Sequence, residues 1–243
     1  MEFVADLHTH TIASTHAYST VTENAKWASE HGIAYLAMTD HGPNEHDSPH
    51  IWHFYNQRVL PDTLFGVHLI RGIEADITDY DGNLDIYEPD LYECLEWVNA
   101  SMHDCVLKPG TKEEHTRAYL GALKNPYIDV LCHSESKRFD YDFDAVCKEC
   151  AARGRLIEVN VTRLIRGGTA RGRYARILEA CAKYRTRIVV SSDAHFYTAI
   201  GAFEPAEELL AEIGFPEELV LNADQSRMAG YLEERKRRLE RKE

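Results

Sequence analysis

The chain has 243 residues, 44% of them hydrophobic, enough for one α/β domain with a buried core. Its 27 basic and 40 acidic residues give a net charge of −13, which disfavours a nucleic-acid backbone as partner but leaves room for a local basic pocket holding a phosphorylated small molecule. No run nears the ~18 apolar residues of a membrane span. Met1 leads into an apolar stretch without the charged start of a signal peptide. Six cysteines (Cys94, Cys105, Cys132, Cys147, Cys150, Cys181) show no framework spacing, so a reduced, cytoplasmic, soluble protein is expected.

The first predicted strand, residues 3–5, runs into Asp6-Leu7-His8-Thr9-His10, with His16 six residues on. Two histidines at i and i+2 at a strand end point the same way and can grip one ion. A helix is predicted over 22–31, stopping at Gly32, and a strand over 34–39, ending in Asp40-His41. The strand 69–73 ends in Glu74, and a turn over 80–84 follows around Asp81-Gly82. Residues 95–101 end in Met102-His103; a polar helix over 111–123 precedes the strand 128–132, which ends in His133. A helix over 143–153 stops at Gly154 and carries Cys147-Lys-Glu-Cys150, which reads as two small side chains rather than a redox or zinc motif. The strand 156–159 ends in Asn160; a helix over 174–184 follows, and the strand 187–192 ends in Asp193-Ala194-His195. The tail, 223–243, reads as a helix that becomes highly charged from Glu233. It is expected to be a solvated face, with contact to a partner or a second copy in a homo-oligomer as the alternative.

About seven strands alternating with helices is the pattern of parallel βα units, and no repeat or break divides residues 1–243, so one domain is expected. In a closed parallel barrel the C-terminal strand ends meet at one face, where such folds place their chemistry. Six of the seven runs stop there on a metal-binding residue type. The stops, with the loop after the first, collect His8, His10, His16, His41, Glu74, His103, His133, Asp193 and His195. A single catalytic zinc needs three protein ligands and a water, so nine candidates imply two or three ions, with Glu74 placed to bridge a pair. Nitrogen and oxygen donors without thiolate suit zinc, manganese or iron. Neighbouring ions lower the pKa of a shared water and clamp both the attacking and the leaving oxygen of a phosphoryl group, so phosphoester hydrolysis is the expected reaction.

These motifs are similar to those of the PHP (polymerase and histidinol phosphatase) superfamily, and most of all to its YcdX-type phosphatases. The matching segments are Asp6-Leu7-His8-Thr9-His10-Thr11, Ala13-Ser14-Thr15-His16-Ala17-Tyr18-Ser19-Thr20, Thr39-Asp40-His41-Gly42-Pro43, Pro49-His50-Ile51-Trp52-His53-Phe54, Arg71-Gly72-Ile73-Glu74-Ala75 and Ser192-Asp193-Ala194-His195. The resemblance implies a distorted (β/α)7 TIM-like barrel with a trinuclear site of divalent ions, zinc first, with manganese or iron as alternatives. It implies His8, His10, Glu74 and Asp193 on one ion, Glu74, His103 and His133 on a second, and His16, His41 and His195 on a third. Asp40, beside His41, is expected either to orient a ligand or to cap the next turn.

The chain departs from that pattern after His133, with Ser134-Glu135-Ser136-Lys137-Arg138, and after Glu158, where a loop carrying Arg163, Arg166, Arg171 and Arg173 is expected. Forked hydrogen bonds from those arginines suit a second phosphate or a carboxylate; a solvated connecting loop is the plain alternative. Lys137 and Arg138 are weaker candidates for the same role. His50 and Trp52 are expected to wall or cover the pocket, unless Trp52 packs on the barrel rim. The substrate class implied is a small phosphorylated metabolite. The other readings are a histidinol-phosphate phosphatase, a 3′-exonuclease (opposed by the net charge), a metallo-amidohydrolase (opposed by Glu74 standing where a lysine bridge is usual) and a non-catalytic metal-binding interaction module.

Overall fold

The computed structural model describes residues 1–240. Its strands are β1 Ala5–Thr9, β2 Tyr35–Met38, β3 Thr63–Leu64, β4 Val67–Asp76, β5 Trp97–Ser101, β6 Val130–Leu131, β7 Leu156–Asn160 and β8 Ile188–Ser191. Between them run α1 Val21–Glu30, α2 Trp52–Asn56, α3 Leu91–Cys94, α4 Lys112–Ala122, α5 Phe143–Arg153, α6 Val161–Arg166 and α7 Ala170–Tyr184; α8 Glu204–Ile213 and α9 Gln225–Glu240 follow the last strand. Seven strands pair in parallel in the order β1-β2-β4-β5-β6-β7-β8, and only the two-residue β3 pairs antiparallel, with β4. The expected distorted (β/α)7 barrel is the fold observed.

The barrel closes loosely. Between β1 and β8 there is no full ladder, only the bridge Thr9–Ala194 with Asp193 N–H donating to His8 O and His10 N–H to Ala194 O, both at 2.9 Å. At the other end the seam is mortared by Asn222. Its amide donates to Ala5 O and Val190 O and its Oδ1 accepts from Val190 N–H.

Inside the barrel the side chains form two layers. Ala5, Leu7, Ala37, Ile70, Trp97, Val130, Cys132, Leu156 and Val189 make an apolar floor, plugged from below by Met228 and Tyr231 of α9. The strand period of two carries each of these positions upward to a polar one: Ala37 to Thr39 and His41, Ile70 to Glu74, Leu156 to Glu158, Val189 to Asp193. On β1 that period would point His8 outward if Leu7 faces in. A register irregularity between Asp6 and Thr9 resets the alternation, so that Leu7 stays in the floor while His8 and His10 enter the polar layer.

Several elements differ from the expected ones. The first strand is displaced two residues along, because the pairing partner Tyr35 meets Ala5 rather than Phe3. The arginine segment is not a loop. Asn160 caps α6 by accepting Arg163 N–H, and α7 starts at Ala170, so the only open stretch is the turn around Gly167-Gly168. The helices α2 and α8 lie where none was expected. Cys147 and Cys150 are buried on α5, and their helix ends on Gly154 at φ +66°, as the sequence suggests. In the tail, Arg235 is only 6% exposed, held on Asp129 at the barrel floor, so this face of the helix is packed rather than solvated; residues 241–243 of the expected tail helix lie outside the described residues.

Candidate metal centre

All nine sequence-derived ligand candidates lie at the C-terminal end of the barrel, and Glu74 is their centre. It stands two residues before the end of the longest strand, is fully buried, and divides the histidines between its two oxygens. His8 Nε2, His10 Nε2 and His41 Nδ1 approach Oε2 at 3.2, 3.6 and 3.0 Å. His133 Nε2 and His103 Nε2 approach Oε1 at 2.8 and 3.6 Å, and Ser101 Oγ–H donates to the same oxygen at 2.6 Å. Asp193 Oδ1 lies 3.1 Å from His10 Nε2 and 3.7 Å from His8 Nε2. His195 and His16 complete a run of rings, each 4.3 Å from its neighbour along the sequence His10, His195, His16.

The electrostatics follow this plan. Burial pushes Glu74 up, but the facing imidazoles of His8, His103 and His41 outweigh it and leave the carboxyl well below its ordinary range. Burial likewise lowers His8 and His103, yet the carboxylates around them prevail, raising His8 well above its usual value and His103 to about 9. His195 is pushed down to about 4 by burial and by its neighbour His10. His10 is lowered as well, by burial and by His41, although Asp193 and Glu74 face it.

Several groups that the sequence reading passed over hold the ligand candidates in place. Glu158 Oε1 accepts the Nδ1–H of His8 at 2.7 Å, and its Oε2 accepts His133 N–H at 2.7 Å and Asn160 Nδ2–H at 3.1 Å. Asp76 accepts His103 Nδ1–H at 2.8 Å, with Glu45 Oε1 3.1 Å from the same nitrogen. Asp47 pairs with His16 Nδ1. Glu158 had a signal: an acidic residue inside the apolar run Leu156-Ile157-Glu158-Val159, in phase with the inward-facing Leu156. Glu45 and Asp47 had none, since they lie in the irregular loop after β2. Asp40 is fully buried and accepts from Thr11 N–H, Thr11 Oγ1–H and Ser14 Oγ–H, with His53 Nε2 3.1 Å away. Its side chain therefore braces the loop that carries His16, while its backbone carbonyl accepts Glu74 N–H at 3.1 Å.

The expected substrate residues divide. Arg171 is paired with Glu212 and so braces α7 against α8, while Arg173 ties α7 to the segment after His133 through Asp140 at 2.7 Å and the backbone of Glu135. Arg163 starts next to the cluster through Asn160, and its Nε, 3.8 Å from Glu135 Oε1, has no hydrogen-bond partner. Arg166 is exposed. His50 and Trp52 are both exposed, Trp52 to 74%, so it does not pack on the rim. Arg138 is drawn onto Asp104 at 2.7 Å.

The donor set fits metal ions. His8 Nε2, His10 Nδ1, both ring nitrogens of His41 and His195 Nε2 are buried without a hydrogen-bond partner, an arrangement that is unfavourable unless something else takes up their lone pairs. Ligand atoms within 4.8 Å of one another include those of His8, His10 and Asp193; His10, His41 and His195; His41, Glu74 and His103; His16, His41 and Asp47; and His8, Cys132 and Glu158.

Comparison with known proteins agrees with this architecture. The PHP domain model matches residues 6–214. A probable phosphatase of Acetivibrio thermocellus is 42% identical over 242 residues, covering 100% of both chains, and one of Clostridium novyi is 40% identical over 96% of this chain and 95% of its own. Among solved structures, the histidinol phosphate phosphatase of Lactococcus lactis, complexed with zinc, L-histidinol and phosphate, aligns with TM-score 0.63 at 14% identity, covering 89% of this chain and 95% of that one. A histidinol phosphatase described as putative, from Listeria monocytogenes, aligns with TM-score 0.61 at 15% identity over 82% of this chain and 98% of its own. These two share the fold. Family match and full-length identity together place this chain in the PHP family, among its phosphatases.

Proposed function

We propose that this PHP-family phosphatase hydrolyses a small phosphorylated metabolite at a trinuclear centre of divalent ions, zinc first and manganese or iron as alternatives. The carrying observation is the convergence of five imidazoles on the two oxygens of Glu74. His8, His10, Glu74 and Asp193 would hold one ion, Glu74, His103 and His133 a second, and His16, His41 and His195 a third. When bound, the ions supply Lewis acidity, lowering the pKa of a water and neutralising phosphate charge.

The protein's own groups do the rest. Glu74 is pinned by Ser101 so that each oxygen faces one set of rings. Asp76, Glu45 and Asp47 take the outer ring protons of His103 and His16, which leaves the inner nitrogens free. Arg163, with an unpartnered Nε at the edge of the cluster, would bind a phosphate oxygen or a second anionic group, with Arg166, His50 and Trp52 as exposed candidates further out. A cytoplasmic setting is supported by six cysteines without a disulfide among them and by the absence, among the described residues, of any helix long and apolar enough to cross a membrane.

The test is phosphate release by the zinc- or manganese-loaded protein from a panel of phosphomonoesters and phosphodiesters, with His133→Ala as control. Turnover by the parent alone supports the proposal and the preferred ester narrows the substrate. Bound metal without turnover of any ester refutes it in favour of a binding module.

A further inference from the structure

We infer that Glu158 is a positioning residue for the metal centre, one that sets which nitrogen of His8 can bind an ion while fixing the backbone of His133. The inference rests on the reading of both histidines as ligands. Glu158 is fully buried on β7, far from either histidine in sequence, and uses both oxygens. Oε1 accepts the proton on His8 Nδ1, which leaves the lone pair on Nε2, the nitrogen that faces Glu74 and Asp193. Oε2 accepts His133 N–H. His133 sits at φ +28°, a region that ordinary L-residues avoid, and a hydrogen bond to a buried carboxylate is what holds its ring toward Glu74 Oε1. One carboxylate thus supports a ligand on each side of Glu74, and loosening it should disturb the two sets together.

The surroundings of Glu158 determine what an isosteric amide would do. Two donors, His133 N–H and Asn160 Nδ2–H, point at the Oε2 position. Asn160 cannot turn its amide over, because its Oδ1 is already committed to Arg163 N–H as the cap of α6. The carbonyl of a glutamine at 158 must therefore take the Oε2 place, and its NH2 must face His8. His8 Nδ1 then becomes an acceptor, its ring proton moves to Nε2, and the nitrogen that faces Glu74 has no lone pair to offer. Shape is preserved and the ligand is lost.

The experiment loads full-length wild type, Glu158→Gln, Glu158→Asp and Glu135→Gln with zinc, removes the excess, and counts zinc per chain, with circular dichroism and thermal melting as fold controls. Glu135→Gln removes another buried carboxylate beside His133 without contacting His8, and so controls for the loss of charge. The expected result is a folded Glu158→Gln that holds at least one zinc fewer than wild type and binds the weakened ion ~10–100-fold less tightly. Glu158→Asp, which keeps an anionic acceptor, should recover part of it, and Glu135→Gln should keep its zinc. Full zinc content in Glu158→Gln, or equal losses in Glu158→Gln and Glu135→Gln, would overturn the inference. Should Glu158→Gln not fold, imidazole nitrogen–proton NMR of the metal-free wild type, followed upward in pH until the His8 ring has lost one of its two protons, decides: a remaining proton on Nδ1 upholds the assignment and one on Nε2 refutes it. A wild type that takes up no zinc would refute the proposed function, whereas the ring proton on His8 is read without any metal.

Discussion

Asp129→Asn should be among the most destabilising conservative substitutions in the molecule, although Asp129 lies at the floor of the barrel, the opposite end from Glu74. Its buried carboxylate accepts four hydrogen bonds: from Val98 N–H at 3.0 Å, Arg235 Nε–H at 2.8 Å, Arg238 Nη2–H at 2.6 Å and Tyr231 O–H at 3.1 Å. Three of those donors belong to α9, so the carboxylate anchors the helix that plugs the barrel. Breaking a buried ion pair from one side costs about 3–5 kcal/mol, because the partner charge stays buried. Arg235, 6% exposed, is such a partner, and Arg238, whose side chain is 16% exposed, can recover some hydration and adds less. A total of about 4 kcal/mol is expected, a large part of a stability of ~5–15 kcal/mol. At ~2–4 °C per kcal/mol for a chain of this size, the melting temperature should fall by roughly 8–16 °C. Urea and thermal unfolding at neutral pH measure both quantities, while turnover per folded molecule should be unchanged. Adding Arg235→Met should return part of the loss, since the stranded charge is then gone. A loss below about 1 kcal/mol, or no recovery in the double variant, would show that the arginines find water and that the carboxylate does not anchor α9.

Other expectations are equally direct. Gly121→Ala would place a Cβ 1.9 Å from Asp81 O and 3.2 Å from Gly82 N, so the turn over 79–83 must lift off α4; about 2–3 kcal/mol of stability should be lost in urea melts, with turnover per folded molecule unaltered. Asp85 is pushed from 3.8 to about 7 by burial and by the charge of Asp76, so the native state favours its protonated form. Its contribution to stability is full below pH ~4 and is lost as pH rises through 7, a span on the order of 4 kcal/mol at most. The stability difference between wild type and Asp85→Asn should therefore shift in favour of the variant between pH 5 and 8, and a pH-independent difference would refute this. Arg163→Ala should raise KM for an anionic ester at least several-fold, whereas Arg171→Ala, which loses only an exposed pair with Glu212, should leave the kinetics unchanged. The reverse order would exclude Arg163 from the pocket.

What could be read from the sequence was what the strand period exposes. His41, Glu74, His133 and Asp193 each follow a short apolar run, and in a parallel barrel that position alone fixes the face on which they emerge. The period also hid things. His8 reaches the cluster only through the irregularity in β1, an event that the residues 5–10 do not announce. Arg163, Arg166, Arg171 and Arg173 looked like one functional segment because composition has no direction. Helix geometry turns Arg171 to α8 and Arg173 to Asp140, and leaves Arg163 by the cluster. The charged tail misled for a similar reason, since one buried carboxylate 106 residues before Arg235 is enough to convert a polar face into an anchor. Glu45 and Asp47 depend on a loop whose path is set by Gly42 passing close to Asp85, and local sequence carries no trace of that.

The unladdered seam between the first and last strands has a consequence for how the protein is made. His10 and Asp193, neighbours in space, are 183 residues apart, and translation at ~5–20 residues per second separates their synthesis by roughly 10–40 s. Throughout that interval the nascent chain displays His8, His10 and His16 without the strand that will enclose them. The pocket can close only after β8 has emerged and Asn222 has locked it to β1. With the proposed ligands, chain topology would time ion capture to the end of synthesis, and a product truncated before Asp193 would carry most of the histidines with no barrel around them.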